Sequence, residues 1–122
     1  MTNPFDEIKK VFHEPNRLAI MSALLRAPEG LSFADLKAAC RLTDGNLSRH
    51  LKALADLNAL KMKKSFVGVN PRTTVYVTER GRDHFLRYLA ALEEVLHAAQ
   101  SARSKTADRH ADGPDGATAA AG

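Results

Sequence analysis

The chain has 122 residues, a net charge of +4, no Trp and a single cysteine. That length supports one domain with one modest core. No apolar run reaches the roughly 20 residues that cross a bilayer, no secretory signal pattern opens the chain, and the lone Cys40 cannot form an internal disulfide, so a cytoplasmic protein without membrane contact is expected.

Charge is unevenly placed. Residues 1–40 carry five Lys/Arg and five Asp/Glu, residues 41–82 carry nine against three (net +6), and residues 83–122 carry four against six (net −2). A basic excess gathered in the middle of a small chain suits a polyanionic partner better than it suits solubility.

Asn3-Pro4 reads as an N-cap followed by Pro at the first helical position, opening a helix through Phe12. Glu14-Pro15 interrupts it, and Leu18, Met21, Ala23, Leu24 and Leu25 line a second helix that ends before Pro28-Glu29-Gly30. Ser32 caps a third helix with Asp35 three residues on, a weak capping box, and Phe33, Leu36 and Ala39 supply its inward side. A very short turn leads to a fourth helix, 44–57, capped by Thr43 or Asp44. Leu47, Leu51 and Leu54 form its inward stripe. Gly45, Asn46, Ser48, Arg49, Lys52, Ala53 and Asp56 then face outward, and Asn58 suits a left-handed stop.

The period next changes from helical to alternating. Leu60 and Met62, then Val75 and Val77, predict two short strands around a Gly68–Arg72 connection. Phe66 and Val67 are expected to pack at the base of this hairpin. Thr78 caps a last helix from about 79 to 100, whose stripe of Phe85, Tyr88, Leu89, Leu92, Val95 and Leu96 is wider than one contact needs. It is expected to pack on its own domain and against a twin in a homodimer. Residues 101–122, rich in Ala, Gly, Asp, Ser and Thr, are expected to be a disordered tail on a 1–100 domain.

The expected fold is therefore mainly α: about five helices with a two-stranded wing, a winged helix-turn-helix. Its chemistry is that of double-stranded DNA recognition. Arg49 matches guanine O6 and N7 bidentately, Asn46 matches adenine, and Ser48 and Lys52 suit phosphates. On the wing (61–72), Lys63, Lys64, Asn70 and Arg72 are candidates for phosphate or minor-groove contacts. Asp44 can accept from cytosine or serve only as a cap. A protein–protein or double-stranded RNA module is the alternative, and would show an exposed apolar patch in place of the basic front.

Leu42-Thr43-Asp44-Gly45-Asn46-Leu47-Ser48-Arg49-His50-Leu51, with Lys64-Ser65-Phe66-Val67-Gly68, Pro71-Arg72-Thr73-Thr74 and Thr78-Glu79-Arg80-Gly81-Arg82, resembles a family of small bacterial and archaeal winged-helix transcriptional regulators related to the MarR and ArsR types. The early Asn16-Arg17-Leu18-Ala19-Ile20-Met21 is also similar. The resemblance covers about residues 5–97 and implies a homodimer on a roughly palindromic operator, usually as a repressor. Asn58-Ala59 stands where such proteins commonly have Gly, and Val69-Asn70 lacks the basic residue often found at the wing tip.

No cofactor, metal or enzymatic role is expected. No Gly-rich phosphate loop or nucleophile motif is present. His84 and His97, thirteen residues apart, lie about 220° apart around a helix, so one helix cannot offer both to one ion. Cys40 reads as a buried thiol, His50 as a border residue of the fourth helix, and His13 and His110 as exposed. Nothing in the pattern points to a small-molecule effector.

Overall fold

The computed structural model describes residues 4–111. In chain order it holds α1 (Pro4–Phe12), α2 (Pro15–Leu25), β1 (Leu31–Ser32), α3 (Phe33–Cys40), α4 (Asp44–Asp56), β2 (Leu60–Val67), β3 (Asn70–Val77) and α5 (Glu79–Ala111). The Asn3 cap expected for α1 lies outside the described residues. The chain divides into two units, one ending at Tyr88 and one beginning at Leu89.

In the first unit, each helix contributes one buried face. Phe12, Ile20, Met21, Leu24, Leu36, Leu47, Leu54, Val75 and Phe85 have no solvent exposure, and Leu51 almost none. Phe12 meets Phe85 edge-on with ring centroids 5.2 Å apart, and Tyr88 closes the cluster at 5.8 Å from Phe12. Such rings bury large areas and prefer these tilted contacts. The Tyr88 hydroxyl ends 2.8 Å from His13 Nδ1, and burial raises its pKa above the ordinary value. This is why Phe85 and Tyr88, expected at a dimer face, are unavailable to one: both are consumed by the core of their own domain.

Caps fix the helix boundaries. The Glu14 carboxylate accepts from Arg17 N at 2.9 Å and starts α2, and Ser32 Oγ accepts from Asp35 N at 3.0 Å and starts α3. Each satisfies a backbone N–H that the helix itself leaves without a partner. Within α3, Leu36 is fully buried, but Phe33 is only half-buried and Ala39 is exposed, so its inward side is narrower than the spacing suggests.

The sheet has three strands in the order β1-β3-β2, all antiparallel, where the sequence predicts two. The added strand pairs Leu31 with Val75 and Ser32 with Thr74. Two residues, one of which also caps α3, are too short to show any period. The hairpin connection is likewise tighter than expected. Only Gly68 and Val69 separate the strands, and Asn70, Pro71 and Arg72 already belong to β3. Gly68 takes φ +66° at the first loop position with no positive φ at Val69, the pattern of a type II′ turn. Pro71 is tolerated in β3 because β1 reaches only Thr74 and Val75 and leaves that side of the strand open.

The last helix continues to Ala111, so residues 101–111 are helical where the sequence pattern predicts none. In the second unit, Leu89 and Leu92 are half-buried, while Val95 and Leu96 are 63% and 50% exposed.

Candidate nucleic-acid interface

The turn between α3 and α4 sets the direction of α4. Arg41 adopts a left-handed φ of 55°, its N–H bonds Ala38 O at 3.3 Å, and Leu42 N bonds Lys37 O at 3.1 Å. This is the Schellman arrangement, made here without glycine. Thr43, not Asp44, is the cap: its Oγ1 accepts from Asn46 N at 3.2 Å. Asp44 instead takes the first helical position and pairs with Lys37 of α3 at 2.8 Å, an exposed bridge across the turn.

The inner face of α4 is apolar, with Leu47, Leu51 and Leu54 locked in the core. His50 is buried beside them, as a packing residue. Its Nδ1 has no hydrogen-bond partner, and the Glu14 carboxylate lies 3.7 Å from it. Burial tends to raise the Glu14 pKa. The backbone N–H groups of Arg17 and Asn16 and the nearby His50 and Arg17 outweigh that effect, leaving the carboxyl below its ordinary value. The N-cap of α2 thus also faces the back of α4.

The outer face carries Asn46, Ser48, Arg49 and Lys52, all exposed. Arg49 Nη2 donates to Asn46 Oδ1 at 3.3 Å, and Lys52 pairs with Asp56 at 3.2 Å. At these exposures such pairings contribute little to stability, so the groups are free to change partners. A Cβ on Gly45 would meet nothing within 4 Å. The domain's own packing does not demand that glycine, and its absence of side chain leaves the start of α4 open to close approach.

The wing begins at the end of α4. Asn58, at φ 59°, completes a second Schellman turn, with its own N–H on Ala55 O at 2.8 Å and Ala59 N on Leu54 O at 3.0 Å. Thr78 then ties three elements together. Its hydroxyl donates to Asn58 O at 2.6 Å and accepts from Gly81 N at 2.9 Å, while its own N–H bonds Ala59 O at 3.0 Å. A Cβ at Gly81 would run into the Ala59 backbone, so glycine is what allows the start of α5 to sit against the foot of the wing. Gly81 is a positioning residue beyond those expected from the sequence, and of the two roles the sequence leaves to His50, packing or a phosphate contact, its burial favours packing. A Thr three residues ahead of a helical Gly is the signal for Gly81.

Along the hairpin, Lys63, Lys64, Asn70 and Arg72 are all exposed, as a phosphate-contacting set requires. The register places Ser65 opposite Arg72, Lys63 opposite Thr74 and Lys64 opposite Thr73. Because faces alternate along each strand, Lys61, Lys63, Asn70 and Arg72 share one face, and Lys64 lies on the other. Phe66 and Val67 do not pack at the base of the hairpin as expected. They flank the turn, 73% and 56% exposed, because the strands run on past the domain's core.

Cys40 is half-buried and burial raises its pKa, which disfavours the reactive thiolate. Among the described residues no group of three or more His, Cys, Asp or Glu gathers as an ion would need, and no helix is long and apolar enough to cross a membrane.

Residues 16–96 match the sequence profile of the winged helix DNA-binding domain. An uncharacterized protein of Methanocaldococcus jannaschii is 38% identical over 80 residues, covering 66% of this chain and 86% of the relative. Among solved structures, a transcriptional regulator homologue from Pyrococcus horikoshii OT3 is similar at a TM-score of 0.68 and 30% identity, over 74% of this chain and 88% of the other. A MarR family transcriptional regulator from Silicibacter pomeroyi shares the fold at a TM-score of 0.55 and 21% identity, over 77% of this chain and 64% of that one.

Proposed function

The chain belongs to the winged helix DNA-binding domain family, and from that premise we propose that it is a cytoplasmic transcriptional regulator that reads double-stranded DNA with α4 and steadies itself with the wing. The observation that carries this reading is the outer face of α4. It presents Asn46, Ser48, Arg49 and Lys52 to solvent on a helix whose opposite face is anchored by three buried leucines. Arg49 addresses guanine in the major groove, Asn46 adenine, and Ser48 and Lys52 the phosphates. Lys63, Lys64, Asn70 and Arg72 add backbone contacts from the wing. No acidic residue lies between Asp56 and Glu79, so nothing on the hairpin repels a phosphate rail.

The working unit is a homodimer on a roughly palindromic operator, acting as a repressor. Val95 and Leu96, exposed on α5, with half-buried Leu89 and Leu92, are the residues left to meet a second copy once Phe85 and Tyr88 are taken by the core. The family resemblance and the similarity to the Pyrococcus horikoshii regulator homologue support the regulatory role.

The test is selection of duplexes from a random-sequence DNA pool, followed by gel-shift titration. Arg49→Ala is expected to weaken binding to the selected duplex by about 1–3 kcal/mol and relax preference at one base position. Binding should fall steeply with salt, and excess duplex RNA should fail to compete. An unchanged affinity for Arg49→Ala removes that residue from the reading. A flat salt dependence removes the DNA-binding reading. Sedimentation showing only a 13.3 kDa species at micromolar concentration removes the dimer.

A further inference from the structure

The wing tip departs from the polar outer face of α4. Phe66 is 73%, Val67 56% and Val69 91% exposed, three large apolar side chains within four residues around a two-residue turn. Single exposed hydrophobes need no explanation, but a cluster at the end of a projecting hairpin does. The register sets Phe66 opposite Pro71, so the ring and the proline stand side by side on one face of the ribbon. Lys64 lies one step back on that face, and Lys63 and Arg72 lie on the reverse.

We propose that this tip is an apolar wedge for DNA. Phe66, backed by Pro71, enters the minor groove beside the α4 site and partly unstacks a base step there, while Lys63, Lys64 and Arg72 hold the flanking phosphates. The proposal rests on the DNA-binding reading above and adds to it a mode of contact. Two observations select DNA as the occupant. An apolar tip within a collar of cations, on a segment free of acids, complements a stacked apolar interior between two phosphate rails. The tip is also carried by the strand that follows α4 directly, with only Leu57, Asn58 and Ala59 between the helix and β2. Phe and Pro are among the side chains that wedge between base steps and kink the duplex. The tip residues Val69 and Asn70 carry no charge, so the tip itself works by apolar contact rather than by a cation in the groove.

The experiment uses the full chain and the duplex selected from the random pool, with 2-aminopurine placed in turn at each step around the α4 footprint. Wild type should raise 2-aminopurine fluorescence at a discrete step beside the footprint. Phe66→Ala should abolish that rise and weaken binding about tenfold with no change in the salt slope. Phe66→Leu should keep most of both signals. Lys64→Ala should instead reduce the salt slope by about one and keep the fluorescence rise. If Phe66→Ala matches wild type in affinity and wild type shows no rise, while Arg49→Ala still weakens binding and relaxes preference, the wedge is wrong and the α4 reading stands. If wild type selects no duplex, both fall together. A change in sedimentation coefficient for Phe66→Ala, or Phe66-dependent co-sedimentation with anionic phospholipid vesicles, would overturn the wedge by assigning the tip to a protein or a membrane.

Discussion

The reading helix balances Arg49 and Lys52 against Asp44 and Asp56, whereas the wing carries four Lys/Arg and no acid, and the two dispose of their apolar residues in opposite ways. In α4, Leu47, Leu51 and Leu54 point inward and leave small, polar and charged groups outside, Asp44 and Asp56 among them. In β2 only Leu60 is buried, and from Lys61 onward every residue of that strand is exposed, apolar ones included, while in β3 only Val75 is buried. The difference is one of backing. A helix laid on a core has an inside, so its apolar residues are spent on stability and its outer face is free for recognition. A ribbon that outruns the core has two outsides, and whatever apolar residues it carries there contribute nothing to folding.

That contrast breaks first at the back of α4. Leu51→Ala should cost about 2–5 kcal/mol, since it removes a fully enclosed side chain and leaves a cavity. Urea unfolding followed by circular dichroism reads it directly. A loss below about 1 kcal/mol would mean that the leucine stripe is not the anchor, and the separation of the two faces of α4 would fail with it.

The same contrast governs how much of the molecule was legible in the sequence. The cap at Ser32, the leucine stripe and the left-handed Asn58 are local rules of spacing and backbone, and each is met in the structure, while the sequence leaves Thr43 and Asp44 open as caps of α4 and the structure selects Thr43. The short β1 escaped because Leu31-Ser32 is defined only by its partner, β3, more than forty residues away. Phe66 and Val67 lie off the base of the hairpin, where the sequence predicts them, because alternation says which residues share a face but not whether a core lies beneath it. Phe85 and Tyr88 fit an intermolecular stripe as well as an intramolecular one, and only the ring of Phe12 decides between them. Of the DNA-facing set, the α4 residues were legible because the helix has one buried side. The wing set was legible only as charge.

A smaller effect tests what holds the back of α4 in register. Glu14 caps α2 and faces buried His50, and its folded pKa is lowered below the ordinary 4.5. A carboxyl depressed on folding contributes stability that is fully present above its unfolded pKa and lost as pH falls through the folded one. Glu14→Gln should therefore be less stable than wild type near neutrality, by about 1 kcal/mol as for a lost charged cap. The gap should close as the pH drops below 4.5. Urea midpoints of the two proteins compared at neutral and acid pH give the answer. A gap that stays constant would show that the carboxylate charge is not what matters at that cap.

The smallest effect lies on the wing, and it is the one that separates folding from function. Val69 is 91% exposed at a non-glycine loop position with an ordinary φ, so a lysine there meets no neighbour and needs no strained backbone. Val69→Lys should change unfolding free energy by less than about 0.5 kcal/mol, while adding a cation at the tip of a surface proposed to meet phosphate. Stability and DNA affinity should consequently part company: an unchanged urea midpoint, with tighter binding at low salt and a salt slope steeper by about one. If the same substitution instead destabilised the fold, the tip would be packed against something in the free protein. The exposed ribbon would then have a backing after all, and the distinction drawn between it and α4 would dissolve.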